Sequence, residues 1–116
     1  MSFTATDVIN RARLVWSEVV ASDILSPENC LRWISDGVLE LRSIRPESTR
    51  FDTGLNPVEF SDITDPGAAI QLDDKFRPVL TDYLIARGFQ GNANLQNHEG
   101  RANNHFKLFY DRARVV

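Results

Sequence analysis

The sequence predicts a mainly α fold: a four-helix antiparallel bundle with a long irregular or short-β-hairpin insertion between helices two and three. Three observations predict it. Apolar residues recur at helical spacing in four stretches, residues 5–21, 27–45, 74–90 and 93–113. Cap-forming residues stand at the starts of the first two. Between the second and third, Pro46, Pro57, Pro66, Gly54 and Gly67 interrupt any regular helix. At 116 residues the chain fits one domain, residues 1–116, in which residues 47–72 form an inserted, partner-binding loop.

Helix one carries its stripe on Val8, Ile9, Ala12, Val15, Trp16, Val19 and Val20. Thr4 or Thr6 is placed to cap it; with Thr4 as the cap, Asp7 stands three residues later, as in a capping box. Helix two opens on Ser26-Pro27-Glu28: a serine cap, a proline whose missing N–H is harmless in the first turn, and an acid that complements the dipole. Leu31, Ile34, Val38 and Leu41 keep its period, and Pro46 ends it by pushing Arg45 out of the helical region. Gly37 sits mid-helix, which points to a close-packed neighbour. Val15 and Leu41 are both assigned to the core. In the insertion, residues 58–60 and 69–72 are short strand candidates. Helix three begins at Asp73 or Asp74 and weakens at Gly88 and Gly91. Asn92 is the cap expected for helix four, whose stripe is Leu95, Ala102, Phe106, Phe109, Tyr110 and Ala113. Helices one and two, and helices three and four, are expected to pair.

The net charge of −3 argues against a dedicated nucleic-acid binder, yet the charge is unevenly placed. Residues 46–74 carry 7 acids against Arg50 alone, whereas residues 75–116 carry 7 bases against 3 acids. This split reads either as two solvated faces or as head-to-tail complementarity between copies. No apolar run approaches a membrane span, and Met1-Ser2-Phe3-Thr4 has neither the basic nor the apolar part of a secretory signal.

No constellation points to an enzyme or to a cofactor. His98 and His105 lie two turns apart without further ligands, and the single cysteine, Cys30, has no local catalytic partner. Gly88-Phe89-Gln90-Gly91 lacks the Lys-Ser/Thr of a phosphate loop, and Asp62, Asp65, Asp73 and Asp74 lack calcium-loop spacing. Catalytic, cofactor and metal residues are therefore expected to be none. Trp33 suits either the core or a subunit interface. Phe51, Leu55, Phe60 and Ile63 are apolar residues in a segment too short for its own core, so they cover the helices or meet another chain. With Arg101, Lys107, Phe109, Tyr110, Arg112 and Arg114 they form the candidate partner interface.

The order of these segments resembles the head–tail connector (adaptor, head-completion) proteins of tailed bacteriophages. The resemblance is carried by Thr4-Ala5-Thr6-Asp7-Val8-Ile9-Asn10-Arg11-Ala12-Arg13, by Arg32-Trp33-Ile34-Ser35-Asp36-Gly37 through Leu41-Arg42-Ser43-Ile44-Arg45-Pro46, and by a C-terminal pair. That pair is Asp82-Tyr83-Leu84-Ile85-Ala86-Arg87-Gly88-Phe89 and Arg101-Ala102-Asn103-Asn104-His105-Phe106. It covers about three quarters of the chain; residues 47–72 depart from it by being shorter than the β-rich insertion of longer relatives. The resemblance implies a virion protein of the neck, made in the host bacterial cytoplasm. Such a protein assembles as a homo-oligomeric ring of typically twelve copies beneath the portal protein. The ring extends the channel for genomic DNA, without reading its sequence or touching a membrane, and docks the tail or a stopper protein. The alternative from another class is a small helical nucleic-acid-binding regulator, with helix four as its most basic element.

Overall fold

The computed structural model describes residues 3–16, 26–45, 62–70, 72, 74–91 and 98–115. Among these the chain is mainly helical. It has α1 (Ala5–Trp16), α2 (Pro27–Ile44), a 3₁₀ turn (Asp74–Phe76) leading into α3 (Arg77–Gly91), and α4 (His98–Val115). The expected parts of helix one beyond Trp16 and of helix four before His98, the Asn92 cap, Val19, Val20, Leu95 and the strand candidate 58–60 lie outside the described residues. Around 69–72 the described residues form no strand; Thr4 and Ala69 make an isolated antiparallel bridge.

Local chemistry explains the helix starts. Thr4 N–H donates to Asp7 Oδ2 at 3.0 Å and Asp7 N–H donates to Thr4 Oγ1 at 3.3 Å, so the capping box forms as expected. Asn29 N–H donates to Ser26 Oγ at 3.2 Å, with Pro27 in the first turn. The end of α2 also follows the sequence: Arg45 turns to φ −128°, ψ 83°, and its N–H closes on Leu41 O at 2.7 Å.

α3 is the axis of the fold. The other three helices pack on it, while α1 and α2 barely touch one another. The expected pairing of helices one and two is therefore corrected: each is a neighbour of α3. α3 and α4 run antiparallel, because Phe89 meets His105 whereas Asp82 meets Arg112. α2 is antiparallel to α3 as well, since Asp36 meets Arg87 and Arg45 reaches Phe76. Residues 79–86 of α3, with Gly88 and Phe89, are all buried. A helix apolar on one stripe only would leave part of this surface wet; a helix buried all round needs partners on every side.

Two glycines permit the close approaches. A Cβ on Gly37 would stand 2.7 Å from Leu80 Cδ1 and from Tyr83 Cδ1, which is the close packing its mid-helix position suggested. A Cβ on Gly88 would overlap the indole of Trp16. Trp16 is wholly buried there and its Nε1–H donates to Ile85 O at 3.1 Å. Gly88 thus does not weaken the end of α3, which continues to Gly91; it is the seat of the largest side chain in the core.

The chain between α2 and α3 is fastened at its later end. Thr6 N–H and Oγ1–H both donate to Pro66 O, at 3.0 and 2.9 Å, and Ile70 N–H donates to Phe3 O at 2.9 Å. Ile70 and Leu72 then enter the core. Val15 departs from expectation: it is 42% exposed, because Ala5, Val8, Ile9, Ala12 and Trp16 fill the side of α1 that meets α3 and leave Val15 at its edge. Leu41, fully buried, is core as expected.

Gly88→Ala is expected to cost about 1–3 kcal/mol, because the new methyl must displace a packed indole. Leu41→Asp should unfold the chain and Val15→Asp should not. Urea titrations followed by circular dichroism check all three; a Gly88→Ala midpoint equal to wild type would refute the Trp16 seat.

Candidate functional site

Ionisable side chains gather where α3 meets α4 and α2. Asp82 is buried on α3 and accepts from Arg112 Nη1 at 2.6 Å through one carboxylate oxygen. His105 Nδ1 lies 3.4 Å from the other. His105 also stacks on Phe89, with ring centroids 6.0 Å apart. On the other side of α3, Arg87 Nη1 donates to Tyr83 OH at 2.9 Å and sits 3.4 Å from Asp36 on α2. Tyr110 on α4 donates to Glu40 on α2 at 3.2 Å. Arg45 donates to Ala113 O at 2.7 Å, tying the end of α2 to the end of α4. These groups join helices.

Burial sets two protonation preferences. It pushes the Tyr83 phenol above its ordinary value, with Arg87 pulling the other way. It also pushes the Cys30 thiol up, with the Arg13 charge acting in the opposite direction. Cys30 is fully buried and does not present a reactive thiolate.

Several residues placed at a partner interface by sequence are core or joint. Phe109 is fully buried against Tyr83, with centroids 5.0 Å apart; it fills the α3–α4 seam and is corrected to the core. Arg112 is held by Asp82 within the chain, and Arg101 lies over the Phe89 ring. Tyr110 is half-exposed but engaged with Glu40. Ile63 packs on the core, with its N–H on Ser35 Oγ at 3.0 Å. Lys107 and Arg114 are exposed on α4. Phe51, Leu55 and Phe60 lie outside the described residues. Trp33 is half-buried against the core, and the side chain of His98 is outside what is described.

Sequence reasoning missed the surfaces that do stand open. A groove of about 820 Å³ runs between α1 and α4 over α3. Leu14, Val15 and Leu108 line it and are 71%, 42% and 37% exposed. Arg11, Arg77 and Arg112 supply its positive charge, against Asp7 and Asp82. A second cleft of about 370 Å³ lies between α2 and residues 62–64. Leu31 and Ile63 line it, with Glu28, Asp36, Asp62 and Arg32 around them. Leu14 was the available signal: it is a large apolar residue outside the stripe of α1. No group of three or more His, Cys, Asp or Glu side chains that could hold a metal ion occurs among the described residues, and none of the described helices is long and apolar enough to cross a membrane.

No protein-family model, curated protein or solved structure matches this chain.

Two predictions follow from these joints. Arg112→Met should destabilise more than Asp82→Asn, by about 1–3 kcal/mol. The first leaves a buried carboxylate short of a partner, whereas the second leaves an arginine that is half in water. The reverse order in denaturant titrations would refute Asp82 as the joint. Tyr83 predicts an alkaline limit. A raised folded-state value means that the unfolded chain loses the phenol proton first, so Tyr83 stabilises the fold fully below about pH 10 and loses that contribution as pH rises through its folded value. Tyr83→Phe should flatten the decline measured above that pH.

Proposed function

We propose that this chain is a structural subunit of the head–tail connector kind found in tailed bacteriophages. Copies assemble into a ring, typically of twelve, beneath the portal, extend the DNA channel and offer the tail or a stopper a docking surface. One observation carries the proposal: Leu14, Val15 and Leu108 stand exposed along a single arginine-bearing groove. A chain of this size has little apolar surface to leave in water without a partner to cover it. The resemblance of the four helical segments to the connector family supports the same reading. So does the use of Asp82, His105, Arg87 and Tyr83 as joints between helices, a structural employment for residues that would otherwise be candidates for chemistry.

The test is direct. The full chain is mixed with assembled rings of the portal protein encoded in the same genome. The expected result is co-sedimentation and an added ring of density at the portal mouth in electron micrographs. Because Arg112 is engaged with Asp82, the basic residues to reverse are the exposed Lys107 and Arg114. Lys107→Glu with Arg114→Glu should leave the helical content intact and reduce incorporation, more strongly at low salt. A chain that never joins the portal under any ionic condition would overturn the connector reading.

A further inference from the structure

The two open surfaces are complementary to each other. Arg11 and Leu14 lie one turn apart on α1, and Leu14 is the most exposed large apolar residue of the described helices apart from Val115 near the chain end. The cleft between α2 and residues 62–64 offers the inverse: a concave apolar floor of Leu31 and Ile63, with the carboxylates of Glu28, Asp36 and Asp62 outnumbering the Arg32 guanidinium at its edge. Its depth is fixed by Ser35, whose hydroxyl donates to Leu31 O at 2.9 Å while accepting the N–H of Ile63 at 3.0 Å. The cleft is therefore built. Arg11, Glu28 and Asp62 enter no ion pair among the described residues, so their charges remain available to another chain. No residue lines both surfaces. A knob and a hole on different faces of one molecule are what a heterologous contact between identical copies requires.

We infer that Leu14 of one copy seats in the cleft between α2 and residues 62–64 of the next, with Arg11 set against Glu28 and Asp62. The occupant of the cleft is thus a second copy of this chain. The contact rests on the connector reading for its repetition around a ring and names the surfaces through which the copies meet. Leu14 supplies the apolar anchor that an interface needs at its centre, and the charged pairs at the rim orient it. The pairing also explains why Leu14 interrupts the otherwise polar outer side of α1.

Sedimentation equilibrium of the full chain, in the absence of portal, tests the inference. The wild type should show a mass that rises with concentration above the 13.2 kDa of one chain and falls as salt is added. Leu14→Asp, and separately Glu28→Lys with Asp62→Lys, should each weaken association about tenfold or more. All three positions are exposed, and circular dichroism verifies that the variants stay folded. The two variants keep opposite halves of the contact: the first retains its cleft and the second its knob. Mixed together they should form one-to-one dimers and nothing larger. A wild type that stays at the mass of one chain at every concentration would overturn the inference, as would association that both variants leave unchanged. The outcome is separable from the connector reading. A chain that is monomeric alone yet joins the portal sinks the contact and keeps the connector; a chain that associates through Leu14 but never joins the portal does the opposite.

Discussion

Enclosure of α3 is the constraint on which the rest of the molecule depends. With α1, α2 and α4 all packed on it, residues 79–86 of this helix are buried and give a polar group little access to water. Each such group must find a partner inside. Thr81 donates back to Arg77 O at 2.8 Å. Asp82 takes Arg112 and His105 from α4. The Tyr83 hydroxyl accepts from Arg87, which continues to Asp36 on α2. Even the approach of α1 ends in such a bond, from the Trp16 indole to Ile85 O. The polar pairs thereby specify which helix lies on which side, a selection that apolar burial alone makes only weakly. A further requirement is room. Three helices close on one only where its surface, or theirs, is stripped of side chain, which is the part Gly88 and Gly37 play.

The same constraint shapes what is left for function. Asp82 and His105 are engaged in holding α4, so a cluster that resembles a site by composition is a fastening by geometry. Asp82 with His105 has the residue types of an acid–base pair and lines the groove between α1 and α4, yet Asp82 is engaged by Arg112 and His105 is stacked on Phe89. Open chemistry lies instead on α1 and α2, at the residues that α3 does not need. This is why the candidate surfaces are apolar residues with charges beside them, the character that the proposed association uses.

The legible features were those decided within a few residues. The Thr4–Asp7 box, the Ser26–Pro27 start and the Pro46 stop each depend on neighbours in sequence, and they form as the residues require. Four helical segments were equally plain from periodicity. Which helix meets which was legible only in part: helices three and four pair as expected, whereas α1 and α2 each meet α3; a stripe states that a face is buried without naming its partner. Val15 and Phe109 show two forms of this failure: one fits a stripe and lies at its edge, the other belongs to the stripe of helix four but was also assigned to a partner interface, and it fills a seam within the chain. The charge split misled for a related reason. Arg112 and Asp82 both belong to the basic C-terminal segment, so their pairing leaves its excess of bases unchanged but takes Arg112 out of the groups open to a partner, which a count by segment does not show. Ser35 left no trace at all. A serine within a helix reads as polar surface, and its bond to Ile63 appears only once the chain returns from 28 residues away.

Because α1 and α2 touch mainly through α3, the angle between Leu14 and the Leu31–Ile63 cleft is not set by either helix alone. It is set by how deeply Trp16 sits over Gly88 on one side and how closely Gly37 approaches Leu80 and Tyr83 on the other. In a heterologous contact that angle is the rotation from one copy to the next, and whether it closes decides between a ring and an open filament. Under the proposed pairing, small-residue positions deep in the core would govern the geometry of an assembly whose contacts lie elsewhere. A methyl group at Gly88 would shift α1 as a unit and carry Leu14 with it. Under the proposed pairing, its effect on the number of copies in a closed ring should exceed its effect on the affinity of any single contact. Core packing in this fold then acts as the gauge of curvature, and the exposed residues supply adhesion.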